Sequence, residues 1–94
     1  MKNQTPREFF LPQIKGKIAS YVARESEPLS TLVRYIRTMC ERYGIRRQDL
    51  QKILKEVRKE TVEPFLDSSK AFIYQPERKE RFEKLCKELK IEIQ

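Results

Sequence analysis

The chain has 94 residues, 21 Lys and Arg against 14 Asp and Glu, and a formal net charge of +7. That length allows one domain with a modest core. Two glycines and no tryptophan argue against a turn-rich β-barrel. The longest apolar run, Ala71-Phe72-Ile73-Tyr74, is far short of the roughly 20 residues of a membrane-spanning helix. With no apolar leader at its start, the sequence reads as a small basic helical domain, with no membrane partner and a cytoplasmic, reducing setting.

The charge is the first functional clue. Residues 1–25, 26–70 and 71–94 carry net charges of +3, +3 and +1. An isoelectric point near 9.6 is a footprint of nucleic-acid binding, because cations that neutralise phosphates release condensed counterions. The chain has no histidine, which removes the commonest general base and metal ligand. Cys40 and Cys86 stand apart with no C-x-x-C, which does not make a zinc site, and both fall on apolar faces, where a free thiol is ordinary packing. No phosphate loop, G-x-S-x-G or H-E-x-x-H is present. The expectation is a protein that is not an enzyme and holds no metal or cofactor.

In chain order, Thr5-Pro6-Arg7-Glu8 has the form of a capping box with proline in the first turn. Phe9, Phe10 and Leu11 follow, and Pro12, which lacks an amide donor, is expected to break the element. That gives an N-terminal arm over 1–12, with a short turn of helix at 6–11, and a helix over 13–25. Ile14, Ile18, Tyr21 and Val22 share one face of that helix. Gly16 weakens it and suggests a close approach by another element. The arm's three apolar residues read as a lid over the core, or alternatively as an arm that inserts into a partner or a second copy. A helix over 27–43 follows, capped by Ser26, with Leu29, Leu32, Val33, Ile36, Met39, Cys40 and Tyr43 on its stripe. Gly44 stops it.

Leu50, Ile53, Leu54, Val57 and Thr61 step again at helical spacing, and two parses stand open. One is a single helix over 47–63, ending before Pro64. The other breaks near Lys55-Glu56 into helices 47–54 and 58–66. Asp67-Ser68-Ser69-Lys70 is a loop by composition. Ala71–Tyr74 reads as an extended segment packed over the helices. The last helix opens at Pro76-Glu77 and carries Phe82, Leu85, Cys86 and Leu89; Glu80 with Lys84 and Glu83 with Lys87 look like i,i+4 pairs. Ile91-Glu92-Ile93 alternates, as a segment crossing the body would.

The expected architecture is all-α, a small orthogonal bundle of four or five helices in one domain, 1–94. The apolar stripes with Phe65 and Leu66 form the core. Helices 27–43 and 47–63 are expected to pack as an antiparallel pair joined at Gly44.

Leu32–Ile36 through Tyr43-Gly44-Ile45, then Arg46-Arg47-Gln48-Asp49-Leu50, Val57–Val62 and Pro76–Ile91 together resemble the helix-turn-helix domains of the phage-repressor and LacI-like families. The resemblance implies a helix-turn-helix fold that binds double-stranded DNA. Arg58, Lys59 and Thr61 would then lie at the major groove and Arg46 and Arg47 at phosphates. Four departures favour the single-helix parse: Lys55-Glu56 fill the place of the family's small residue, Leu50 to Val57 is one residue too long, Pro64 lies inside the implied recognition helix, and Glu60 and Glu63 put negative charge on the side that would face phosphates. Arg34, Arg37 and Arg42 form a second basic patch on helix 27–43, with Arg34 and Arg37 three apart on one face. The leading expectation is a small DNA-binding regulator. The alternative is a helical protein-interaction module: an adaptor, an inhibitor, an assembly subunit or a homodimer.

Overall fold

A computed structural model describes residues 5–93. Among them stand four α-helices and no strand: α1 Pro6–Arg24, α2 Leu29–Tyr43, α3 Arg47–Val57 and α4 Glu77–Leu89. The helix of α3 runs on through a widened π-type turn, Arg58–Val62, and a 3-10 turn, Glu63–Phe65. The all-α expectation is therefore met.

Contrary to the expected break, Pro12 lies inside α1 and does not end it. The turns ahead of it are tied down. The Thr5 hydroxyl accepts from Glu8 N–H at 3.2 Å. The Arg7 guanidinium meets the Asp49 carboxylate at 3.2 Å, and the Phe10 ring stacks on Tyr43 at 4.4 Å. Pro12 is exposed, so water can serve the Glu8 carbonyl that an amide at position 12 would have bonded. From Pro6 onward the expected arm is thus part of α1, and residues 1–4 lie outside the described residues. Phe10 and Leu11 do pack against the core, while Phe9 stays exposed. Gly16 marks no close approach: a Cβ there would meet nothing within 4 Å.

α1 is the centre of the bundle and packs against α2, α3 and α4 alike. The expected α2–α3 pair is not the organising contact; from Gly44, in the left-handed conformation at φ 65°, the two helices diverge and touch little. Ile14, Ile18 and Val22 of α1, Leu32 and Ile36 of α2, Leu54 and Val57 of α3 and Leu85 of α4 are fully enclosed. Cys40, Phe65, Leu66 and Leu89, expected in the core, are only partly covered, while Tyr21, Ile45, Val62 and Ile91 are buried.

The helix passes through Lys55-Glu56 without a break, so the chain follows the single-helix parse and not the split one, except that it does not end before Pro64, which lies within the 3-10 turn. Val57 and Val62 explain the widened turn. Five residues are about 140° apart around a regular α-helix, yet both valines are buried. A turn closed by Glu63 N–H donating to the Arg58 carbonyl rotates less per residue and brings both to the core. Two smaller differences concern the other segments. α2 begins at Leu29, not 27, and Ser26 does not cap it; Pro28 stands at that position, while the Glu27 carboxylate is drawn to Lys17 Nζ at 3.3 Å. Ala71–Tyr74 is not extended but a turn, closed by Ile73 N–H on the Lys70 carbonyl at 2.9 Å.

Candidate nucleic-acid interface

α3 and α4 run antiparallel along one side of the bundle, and their registers are fixed by arginines. At one end, Arg47 Nη2 donates to the Lys90 carbonyl at 2.6 Å. At the other, Arg78 Nη1 donates to the Thr61 carbonyl at 3.1 Å. Between the two helices lies an open groove of about 1160 Å³. Its floor is apolar, with Phe82, Cys86 and the tail residue Ile91. Its lips are charged in a matching pattern. Arg47, Gln51, Lys55 and Arg58 line one side, and Lys79, Glu83, Lys87 and Lys90 the other. Each set steps by four, four and three residues, which keeps it on one helical face.

Six of the groove's charged residues are cations, and three are acids, Glu63, Glu83 and Glu92. The cations divide by chemistry. Arg47 and Arg58 hold the C-terminal tail: Arg58 Nη1 donates to the Ile93 carbonyl at 3.3 Å, and its Nε stands 3.8 Å from the Glu63 carboxylate. Arg37, outside the groove, donates to the Glu88 carbonyl at 3.0 Å. These guanidinium groups satisfy carbonyls at the end of α4 and beyond it, where the helix dipole favours positive charge. Lys55, Lys79, Lys87 and Lys90 are exposed and make no ion pair among the described residues. The i,i+4 pairs expected on α4 are therefore not formed, and those lysines face solvent.

Of the sequence-derived candidates, the structure brings Arg47 and Arg58 together in this groove. Arg34 is exposed on α2, away from it, and Arg37 is committed to Glu88. Arg46 sits at the start of α3, where its backbone N–H donates to Asp49 Oδ2 at 2.9 Å. That bond and the Arg7 guanidinium hold the Asp49 carboxyl below its usual range. Lys59 and Thr61 fall on the widened turn of a continuous helix, not at the start of a separate one; Thr61 is half-buried and its carbonyl serves Arg78. Lys55, Lys79, Lys87 and Lys90 were not among the candidates. The repeated 4-4-3 spacing at 47–58 and 79–90 is the signal that marks them.

The groove can hold an anion, and its one thiol is poorly suited to react. Burial pushes the Cys86 thiol up to about 11, so it stays protonated at neutral pH, when the thiolate is the nucleophile. Among the described residues no helix is long and apolar enough to cross a membrane. Comparison with protein-family models, curated proteins and solved structures gives no match.

Proposed function

We propose that this chain is a non-enzymatic nucleic-acid-binding protein that grips the phosphate backbone in the α3–α4 groove. The observation that carries the reading is the pair of facing stripes with four exposed lysines, Lys55, Lys79, Lys87 and Lys90. The division of labour between Arg and Lys sharpens it. The fork of a guanidinium suits it to paired acceptors on a base edge. In this groove the two arginines are turned to tail carbonyls. The ammonium groups left over are compact point charges, suited to phosphate and indifferent to sequence.

The test is binding of a labelled random-sequence duplex and a labelled single strand between 50 and 200 mM salt. Four phosphate contacts give a salt exponent of about −2.8 on a single strand and −3.6 on a duplex. Over that fourfold change, affinity should fall about 50-fold and 150-fold respectively. Absence of binding, or affinity flat with salt, refutes the reading. A second reading, a protein-interaction module, draws on Phe9, 53 % exposed beside Phe10 and Tyr43. It predicts self-association by sedimentation that Phe9→Ser abolishes.

A further inference from the structure

The loop between the 3-10 turn and α4 shows its aromatic residues to water although it is well ordered by hydrogen bonds. Asp67 Oδ1 accepts from the Ser69 N–H and hydroxyl at 3.0 and 2.6 Å. Lys70 N–H donates to the Asp67 carbonyl at 3.0 Å, Ile73 N–H to the Lys70 carbonyl at 2.9 Å and Gln75 N–H to the Phe65 carbonyl at 2.8 Å. Arg78 pins the base. Its guanidinium lies 3.6 Å from the Phe65 ring centroid and donates to Gln75 Oε1 at 2.9 Å as well as to the Thr61 carbonyl. On this framework Phe72 is 89 % exposed and Tyr74 41 %. A small domain has few apolar residues to spare for its core, so an aromatic ring held out on an ordered turn is suited to a contact outside the fold.

The loop's position says what that contact is. Its two feet, Leu66 and the start of α4 with Lys79, line one end of the cationic groove. An anionic chain lying along the lysines therefore leaves the groove beside the loop, which also carries the exposed Lys70. Cationic groove plus exposed aromatic is the pairing that binds single strands, whose bases offer open π-faces; in a duplex those faces are already stacked. The α3 lip from Arg47 to Arg58 is about 16 Å long, which spans about five nucleotides at stacked spacing.

We propose that the groove takes single-stranded nucleic acid and that Phe72, exposed on the loop whose two feet line the groove, stacks on an unpaired base. This rests on the nucleic-acid reading above and adds strand state and a base-contacting residue to it.

The chain contains no tryptophan, so Phe72→Trp installs a single fluorescent reporter at the proposed contact. The probes are an oligothymidine of about 12 nucleotides, an abasic oligomer of equal length and phosphate count, and a duplex. The oligothymidine should quench the Phe72→Trp emission and the abasic oligomer should not. Phe72→Ala should weaken oligothymidine binding about fivefold or more and leave binding of the abasic oligomer and the duplex unchanged. Since Phe72 lies outside the core, the variant should melt with the parent, and circular dichroism checks this. Salt-sensitive binding with no quenching and no effect of Phe72→Ala overturns the stacking proposal and leaves the groove reading standing. Binding to none of the three probes overturns both.

Discussion

Replacing Pro12 with alanine should stabilise the protein. Pro12 is the seventh residue of α1, inside its hydrogen-bonded body. It removes one helical hydrogen bond, to the Glu8 carbonyl, and a proline inside a helix costs about 3 kcal/mol relative to alanine. Against this, alanine gives the unfolded chain more freedom, worth up to about 1 kcal/mol. The side chain is exposed, so no core packing changes. The net gain is about 2 kcal/mol, or upwards of about 8 °C in Tm for a domain this size. Urea denaturation followed at 222 nm reads it directly, with an unchanged m-value showing that the same surface is exposed. A variant no more stable than the parent would mean that α1 does not continue through residue 12 and that the chain begins its helix after the proline.

Ile18, fully buried on the central helix, should cost about 2–5 kcal/mol when cut to alanine, a large share of the about 5–14 kcal/mol expected for this length; denaturant melts give the answer, and a loss below 1 kcal/mol would displace α1 from the centre. The Asp49 carboxyl is held low by the Arg46 backbone N–H and by Arg7. Its contribution is therefore present above the unfolded value near 3.9 and lost as pH falls through the lower folded value. Asp49→Asn should accordingly destabilise at pH 7 and flatten the acid limb of the stability curve, which thermal melts from pH 2 to 7 would show. Cys86, pushed up to about 11, should react with iodoacetamide at pH 8 about a hundredfold more slowly than in the urea-unfolded chain, whose thiols ionise near 8.5; comparable rates would place the thiol in water.

The helices were legible because burial repeats in register with the turn: Ile14, Ile18 and Val22, or Leu50, Ile53 and Leu54, identify their own faces. Three things were not legible, each for a tertiary reason. Pro12 breaks a helix only if nothing holds the preceding turns, and Arg7 and Phe10 find their partners 42 and 33 residues away. The widened turn at 58–62 follows from the need to bury both Val57 and Val62, which a fixed helical period does not anticipate. By residue type the arginines read as ligand contacts, yet Arg37, Arg47 and Arg58 meet the backbone carbonyls of Glu88, Lys90 and Ile93. A basic residue's type does not say whether its charge faces outward or serves the chain's own carbonyls. The groove lysines are not legible in the sequence because α4 is nearly neutral in sum. Its neutrality hides an arrangement in which Lys79, Lys87 and Lys90 share a face with Lys55 opposite.

The most direct test of the groove as a phosphate-binding site replaces Lys55, Lys79, Lys87 and Lys90 together by alanine and compares this with removal of four cations elsewhere, Arg24, Arg34, Arg42 and Lys52. Both variants lose the same charge, and all eight residues are exposed. Single-strand binding is titrated across salt for each. The groove variant should lose nearly all of the salt exponent of about −2.8, while the control variant keeps it with only a modest general weakening. Equal loss in the two would show diffuse attraction to a basic surface, and loss in the control alone would place the interface outside the groove and contradict the account.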